Sequence, residues 1–219
     1  MPTVPVLNYH KVAEIPPGAR FRCNYVEPAQ FAAQLKFLRR AGFQSISFGQ
    51  YLAYRRGDEG LPRRPIMITF DDGYRSNLEI ALPLLREYGF TPTVFLVSDR
   101  IGETNSWDVD EVPEALLSVR EIRAMQREGI EFQSHTCTHA RLTTLPATSA
   151  LSELLDSRLA LEDVLDAPVD VIAYPWGDQN EQIRRLASEA GYAAGVIVRR
   201  RTNFDKTPLM ELRRIGINH

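Results

Sequence analysis

The sequence predicts an α/β fold, a distorted parallel (β/α) barrel of about seven units that is similar in plan to a TIM barrel. Short apolar runs rich in β-branched residues recur along the chain, each followed by a turn and a segment with helical periodicity. This pattern is typical of βα units around a parallel sheet. Polar residues that can bind metal or move protons stand directly after several of these runs, and a parallel barrel assembles its active site at that end of its strands.

Eight segments are predicted to be strands, because each is short, apolar and bounded by residues that favour turns. In chain order they are Val4–Tyr9, Gln44–Phe48, Pro65–Phe70, Thr93–Val97, Ile130–Ser134, Val169–Tyr174, Ala194–Val198 and Leu212–Ile217. A chain of 219 residues suits one barrel with a sizeable core. Since no internal repeat or linker divides it, we expect a single domain over residues 1–219.

Helices are predicted where apolar residues recur every three or four positions. Phe31, Leu35 and Leu38 have this spacing after Pro28, which suits a first helical turn, and Gly42 follows as a stop. By the same criteria we expect three further helices, over the segment from Ser118 to Gly129 and over Ala147–Leu165 and Glu181–Ala190.

One helix and three loops are expected to be irregular. Pro83 interrupts the segment Asn77–Tyr88, so that helix should be kinked or start late. The stretches Ala13–Glu27, Arg55–Arg64 and Gly102–Leu117 are long for simple connections. Loops of that length in a compact domain are often functional, so they are candidate walls of a substrate groove.

Composition argues against several classes of partner. The 26 Lys and Arg against 28 Asp and Glu give a net charge of -2, which offers no basic surface for nucleic acid or an anionic membrane. The run Arg199–Arg201 is interpreted as a solvated loop. No stretch of about 18 apolar residues could span a membrane, and no feature indicates an obligate protein partner. Two cysteines, Cys23 and Cys137, are too few for a disulfide framework.

The compartment is left open by the sequence. Met1–His10 lacks the basic and apolar regions of a secretory signal. We therefore expect a cytoplasmic protein if the chain is complete, and one of the cell envelope or the outside if an export signal has been removed.

The chemistry is expected to reside in polar residues at the predicted strand ends. Asp71 and Asp72 follow Pro65–Phe70, and since successive side chains of a strand alternate, the two carboxylates can take separate roles. His135 and His139 are four residues apart, which on a helical turn places both imidazoles on one face. With one carboxylate they make a two-His, one-carboxylate set that leaves positions open for water and substrate.

Each of these patterns has a simpler interpretation when taken alone. Histidines four apart also occur as hydrogen-bonded caps, and an Asp-Asp-Gly sequence is common in turns. Their shared position at strand ends of a predicted barrel favours one catalytic metal site instead. Cys137, between the two histidines, is interpreted as a small loop filler, because no further histidine is placed to activate its thiol.

Four segments carry a family resemblance. Thr69–Tyr74 (TFDDGY) and Ser134–His139 (SHTCTH) resemble the first two signatures of the polysaccharide deacetylases, carbohydrate esterase family four with the NodB homology domain. Ala173–Gly177 (AYPWG) is similar to the third signature. Val4–His10 resembles the start of the branch that deacetylates poly-N-acetylglucosamine, so the resemblance spans nearly the whole chain.

The resemblance implies a divalent ion held by Asp72, His135 and His139, with Asp71 as catalytic base. Zn²⁺ is the first expectation for this ion, and Ni²⁺ and Co²⁺ are the alternatives. Many members begin the third signature with an arginine that orients the base, whereas this chain has Ala173 there. Arg213 and Arg214 are the candidates to replace it. The fourth signature of the family has no identifiable counterpart.

Two histidines compete for the role of general acid. Ile215–His219 has the spacing of the family's usual C-terminal acid motif, but a terminal residue is prone to fray. His10 ends the predicted strand Val4–Tyr9, and in the poly-N-acetylglucosamine branch an N-terminal L-x-Y-H supplies the acid. We therefore favour His10 over His219.

The expected function is the metal-dependent removal of acetyl groups from N-acetylglucosamine-type sugars in a polysaccharide or oligosaccharide. Pro175, Trp176 and Tyr74 are the candidate substrate-binding residues, with Trp176 and Tyr74 stacking on a sugar face. Packing of these side chains at the rim is the alternative. Two other functions remain open: a hydrolase of the same fold that acts on a non-sugar amide, and a carbohydrate-binding domain that has lost turnover.

Overall fold

Parallel strands form the centre of the computed structural model, which describes residues 3–217. In chain order the strands are β1 (Val6–Tyr9), β2 (Lys11–Val12), β3 (Tyr25–Val26), β4 (Gln44–Ser45), β5 (Pro65–Phe70), β6 (Thr93–Leu96), β7 (Glu131–Ser134), β8 (Val171–Ala173), β9 (Ala194–Val198) and β10 (Leu212–Gly216). Each of the eight predicted segments contains one of them. β2 and β3 form a separate small parallel pair.

Seven of these strands close into a barrel, as predicted. Their order is β1, β10, β9, β8, β7, β6, β5, and β1 also pairs with β5, which joins the two edges. β1 therefore lies between the last strand and β5, with Leu7 opposite Ile215 on one side and Ile68 on the other. β4 is an outer strand that pairs with β5.

The barrel strands are apolar on both faces because each face is covered. Met67, Phe95 and Val171 belong to one buried cluster drawn from strands all around the barrel. Residues of the opposite parity, such as Ile66 and Ile68, join a larger cluster that includes the apolar faces of the helices. This double burial is typical of parallel sheets between helices.

All but the second of the six α-helices described over residues 3–217 pack on the outside of the barrel, whereas the second joins the cluster that contains Met67 and Phe95. In chain order the helices are α1 (Pro28–Arg40), α2 (Phe48–Arg56), α3 (Leu82–Tyr88), α4 (Val119–Arg127), α5 (Ala147–Leu165) and α6 (Glu181–Glu189). α1, α4, α5 and α6 confirm the predicted helices. No helix within residues 3–217 is long and apolar enough to cross a lipid bilayer.

Two helices show how local sequence decides their ends. A π-helical turn over Asn77–Ala81 precedes α3, which begins at Leu82 with Pro83 in its first turn, so the predicted late start is confirmed. α2 was not predicted. Phe48, assigned to the end of a strand, is instead the first residue of this helix, which is capped by reciprocal bonds between Ser47 and Gln50.

Candidate active site

An open cavity of about 170 Å³ lies at the carboxyl ends of the barrel strands. The predicted polar residues converge on it from β1, β5 and β7. His10 follows β1, Asp71 and Asp72 follow β5, and His135 and His139 follow β7. The structure therefore brings together residues that are up to 129 positions apart in the chain (139 minus 10).

Asp72, His135 and His139 form a compact buried group that could hold a metal ion. Asp72 Oδ1 lies 3.5 Å from His135 Nε2 and 3.4 Å from His139 Nε2. Donor atoms bound to one tetrahedral Zn²⁺ at about 2.0–2.1 Å are about 3.4 Å apart, which matches these distances. Asp72 Oδ1 is also buried without a hydrogen-bond partner among the described residues. The donor set fits the implied ion.

His135 is oriented by a hydrogen bond. Its Nδ1 lies 2.7 Å from the carbonyl oxygen of Ala173, so the tautomer with a proton on Nδ1 donates there and leaves the Nε2 lone pair facing Asp72 and His139. This is the usual way in which a protein fixes a metal-binding imidazole. Ala173 thus contributes its backbone oxygen to the site.

His139 is oriented by aromatic packing. Its ring stacks on Trp107 at 4.9 Å between centroids and meets the edge of Trp176 at 5.1 Å. Its Nδ1 is buried and finds no hydrogen-bond partner within residues 3–217. The two tryptophans therefore fix the ring plane that a hydrogen bond fixes for His135.

The turn between the two histidines is not helical, which corrects the expected geometry. Thr136 and His139 have left-handed backbone angles, with φ of 69° and 64°. Glu153 of α5 holds the turn by accepting bonds from the N–H groups of Cys137 and Thr138, both at 3.0 Å. The imidazoles converge because of this tight turn and not because of a helical repeat.

The second of the two aspartates also has a left-handed backbone. Asp72 has φ of 72°, and Gly73 after it has φ of 75°. A Cβ at Gly73 would lie 2.7 Å from the Leu96 side chain, so glycine is required here for both conformation and space. The chain therefore turns directly after β5, and the side chains of Asp71 and Asp72 both line the cavity.

Asp71 is paired with Arg214 of β10. The guanidinium donates two bonds to the carboxylate, Nη1 to Oδ1 at 2.6 Å and Nη2 to Oδ2 at 2.7 Å, and both side chains are buried. Burial alone would raise the pKa of Asp71, but the charge of Arg214, the charge of His135 and the hydrogen bonds from Arg214 together outweigh burial and lower the pKa well below its usual range. Of the two arginines proposed to orient the base, it is Arg214 that contacts it.

The neighbouring carboxyl group behaves in the opposite way. Burial, and then the charges of Asp71 and Asp108, raise the pKa of Asp72 well above its usual range in the absence of an ion. The two adjacent aspartates thus differ in proton affinity. Asp71 has Arg214 as a partner, whereas Asp72 lies in the histidine group that could hold a metal ion.

His10 lies beside Asp71 at the cavity wall. Its Nε2 is 4.0 Å from Asp71 Oδ2, and its side chain is 26% exposed. Burial lowers the pKa of His10 from 6.5 to about 4, although the charge of Asp71 partly opposes this shift. His219, the competing candidate, lies outside the described residues.

The expected substrate-binding residues separate into two groups. Trp176 is 46% exposed at the mouth of the cavity, with the Arg141 guanidinium 4.6 Å from its ring centre, and Pro175 is buried beside it. Tyr74 is fully buried, with Lys11 Nζ 4.4 Å from its ring centre. The expectation that Tyr74 stacks on a sugar is therefore wrong, because its ring has no face open to a ligand.

Sequence reasoning missed three residues of the site. Trp107 and Asp108 line the cavity from the loop Gly102–Leu117, whose length had indicated a groove wall. Glu153 had no signal beyond its place on α5. Cys137 agrees with its interpretation as a filler, since it is buried and burial raises the pKa of its thiol to about 12.

Comparison with known proteins places this site in a family. Residues 58–195 match the family model for polysaccharide deacetylase. YxkH of Bacillus subtilis strain 168, which carries the same family name, is 29% identical over 193 residues, covering 88% of this chain and 63% of that protein. The poly-beta-1,6-N-acetyl-D-glucosamine N-deacetylase of Staphylococcus aureus is 26% identical over 212 residues, covering 86% of this chain and 70% of its own.

A solved structure agrees with these relatives. BC0361, a polysaccharide deacetylase from Bacillus cereus, is 30% identical and superposes with a TM-score of 0.83 over 99% of this chain and 65% of its own. This chain thus spans a little under two thirds of the length of YxkH and BC0361. The match of the family model to more than half of the sequence shows that the chain belongs to the polysaccharide deacetylase family.

Proposed function

We propose that this chain hydrolyses the N-acetyl amide of N-acetylglucosamine-type sugars in a polysaccharide or oligosaccharide, using one divalent ion held by Asp72, His135 and His139. The observation that carries the proposal is the buried Asp-His-His group at metal-ligand spacing beside a second, arginine-paired carboxylate. Zn²⁺ is the ion we expect, and Ni²⁺ or Co²⁺ would suit the same nitrogen and oxygen donors.

A bound ion would polarise the amide carbonyl and make a water molecule easier to deprotonate. Asp71 accepts the proton of that water, and its two bonds to Arg214 keep the carboxylate charged and fixed for this task. The water oxygen then forms a bond to the carbonyl carbon. When the carbon–nitrogen bond breaks, acetate and the free amine are the products.

His10 is the proposed proton donor to the departing amine. It lies on the cavity wall with its Nε2 4.0 Å from Asp71 Oδ2. A proton that Asp71 has accepted from water can therefore reach His10 and then the amine nitrogen over a short distance. The backbone N–H of Trp176 is the proposed donor to the oxyanion, in keeping with the family resemblance of its turn.

A sugar substrate is supported by the cavity and by the relatives. Trp176 presents an exposed ring at the cavity mouth, and aromatic faces suit the apolar face of a sugar ring. The Staphylococcus aureus relative is named for its action on poly-beta-1,6-N-acetyl-D-glucosamine. We therefore place N-acetylglucosamine polymers first among the candidate substrates.

A panel of acetylated substrates tests this proposal. Acetate release is measured with chitin oligomers, poly-N-acetylglucosamine, peptidoglycan and a non-sugar acetamide, and bound metal is measured in the same preparations. We expect release from at least one N-acetylglucosamine substrate, loss of that activity after chelation, and recovery when metal is restored. Release from the non-sugar amide alone would assign a different C–N hydrolase, and binding of glycan without release would assign a carbohydrate-binding domain.

The Asp71→Asn variant separates the base from the metal site. It should keep its metal and lose activity by about 10²–10⁴-fold, as expected for removal of a general base. Activity equal to that of the unmodified protein would show that another group activates the water. Thermal unfolding is measured alongside, because this change also weakens the pair with Arg214.

A further inference from the structure

A third carboxylate enters the cavity and has no role in the chemistry proposed above. Asp108 is partly buried and lines the same cavity as Asp71, Asp72 and the two metal-site histidines. Over residues 3–217, its carboxylate forms no ion pair with lysine, arginine or histidine. Burial raises the pKa of Asp108, although the charge of Lys11 and the Trp107 side chain partly oppose this shift. A partly desolvated carboxylate without an ion-pair partner is costly, and its two oxygens can accept further hydrogen bonds from a ligand.

The position of Asp108 is fixed by a buried polar cluster below its loop. Lys11 is 1% exposed, and its Nζ lies 3.1 Å from Tyr25 Oη and 3.3 Å from Glu114 Oε1. Tyr25 also donates a hydrogen bond to Glu114. Because Glu114 belongs to the loop Gly102–Leu117, this cluster fastens the loop to β2 and β3.

Hydrogen bonds within the loop complete the support. The Glu114 N–H donates to Asn105 Oδ1 at 2.7 Å, and the backbone N–H of Asp108 donates to the Asn105 carbonyl at 3.1 Å. Asn105 is buried. Trp107, which precedes Asp108 in the sequence, packs on His139. The loop segment that carries Asp108 is thus held at the cavity wall before any ligand arrives, as suits a recognition group.

The chemistry of the substrate indicates which group Asp108 meets. An ionised carboxylate only accepts hydrogen bonds, so its partner must carry an N–H or O–H. In N-acetylglucosamine the carbon that bears the acetamide is flanked by a carbon with a hydroxyl group, O3, which is unsubstituted in both 1,4-linked and 1,6-linked polymers. Among the sugar hydroxyls O3 is bonded nearest to the acetamide, so with the acetamide at the metal position O3 would enter the cavity that Asp108 lines.

We propose that Asp108 is a specificity-determining residue that accepts a hydrogen bond from the O3 hydroxyl of the sugar whose acetamide is hydrolysed. The inference rests on the proposed function and deepens it. It assigns a substrate class, N-acetylated sugars with a free O3, and it excludes residues in which that oxygen carries a bulky substituent.

The test pairs a variant with a substrate analogue. Acetate release by the metal-loaded protein is measured for Asp108→Ala with an N-acetylglucosamine oligomer and with its 3-deoxy analogue. Asp110→Ala is the matched control, because Asp110 lies on the same loop but is exposed and pairs with Arg20. We expect Asp108→Ala to lower kcat/KM for the oligomer by about 10- to 100-fold, the usual range for a hydrogen bond to a charged group.

The two losses should not add. The unmodified protein should already have a low kcat/KM for the 3-deoxy analogue, which cannot form the hydrogen bond to Asp108. Asp108→Ala should lower that kcat/KM little further, because the bond it removes is already absent. Asp110→Ala should match the unmodified protein on both substrates. Equal losses on the two substrates, no loss on the oligomer, or a fall in metal content in Asp108→Ala would each overturn the assignment.

A binding measurement keeps this test separate from the proposed function. If the unmodified protein releases no acetate from any sugar, the proposed function fails. Calorimetry with a glucosamine oligomer, which cannot be deacetylated further, then still reports on Asp108. Binding that weakens in Asp108→Ala and not in Asp110→Ala supports the contact, and equal binding by all three proteins overturns it.

Discussion

Arg214 and Asp71 form a two-point contact across the interior of the barrel, although 143 positions separate them in the chain. The two bonds differ by only 0.1 Å, 2.6 Å against 2.7 Å, so the planar guanidinium faces the carboxylate squarely. A buried carboxylate would otherwise hold its proton. The pair therefore keeps Asp71 able to accept one.

Arg214→Ala should both destabilise the protein and change its pH profile. Loss of one member leaves the other charge buried and unpaired, which usually costs about 3–5 kcal/mol. The pKa of Asp71 should rise, and because a base must be unprotonated, the acidic limb of the rate profile should move to higher pH. Denaturant unfolding and pH–rate measurements check this, with Arg213→Ala, on the same strand, as control. An unchanged profile in Arg214→Ala would show that the pair does not tune the base.

Metal content should fall sharply in Asp72→Asn and in His135→Ala. Three protein ligands leave little redundancy, so the loss of one weakens the whole site. Metal analysis after gel filtration gives the measurement. Cys137→Ala is the control, since Cys137 lies in the same turn but outside the ligand group, and it should keep its metal. Full occupancy in both ligand variants would refute the assignment.

Glu153→Ala should weaken metal binding without removing a ligand. Its carboxylate holds two N–H groups and the Thr138 hydroxyl of the turn between the histidines. Supporting residues of this kind usually contribute about 10- to 100-fold in metal affinity, and we expect the lower end. Competition with a chromophoric chelator measures the affinity. Asp156→Ala, an exposed acid one turn along α5, should bind metal normally, and equal affinities in the two variants would contradict the role of Glu153.

His10→Ala should leave folding and metal content intact and lower acetate release by about 10²-fold, because it removes the proposed proton donor. His219→Ala should have little effect. The reverse pattern would give the role to His219 and the ordinary motif order to this chain.

The stability of the metal-free protein should fall on acidification, partly because of His10. Its pKa is about 4 in the folded protein and 6.5 ordinarily, so between these values the unfolded chain binds a proton that the folded chain does not. The stabilisation is present above pH 6.5 and is lost as pH falls towards 4. Urea unfolding at several pH values checks this, and His10→Gln should show a shallower decline than the unmodified protein.

The barrel was predictable because each buried strand is a short apolar run, and the strand ends located Asp71, Asp72 and His135. Which of Arg213 and Arg214 contacts Asp71 was not predictable, because it depends on which residues of β10 face the interior of the barrel. Leu212 belongs to the buried cluster drawn from strands around the barrel, and Arg214, two residues on, shares its face.

Other parts of the site depend on contacts that no local pattern encodes. The histidine turn follows left-handed angles at Thr136 and His139, which the four-residue spacing does not indicate. Asp108 reaches the cavity because Lys11, nearly a hundred positions away, fastens its loop through Glu114. Trp107 likewise gains its role only from its position against His139.

The place of β1 between β10 and β5 has a consequence for the order of folding during synthesis. β1 is the first barrel strand to leave the ribosome, yet it gains its second neighbour only when Leu212–Gly216, the last of the seven barrel strands, has been synthesised. The same late segment delivers Arg214 to Asp71. Closure of the barrel and pairing of Asp71 with Arg214 therefore depend on the same segment, and a nascent chain stalled before β10 has neither.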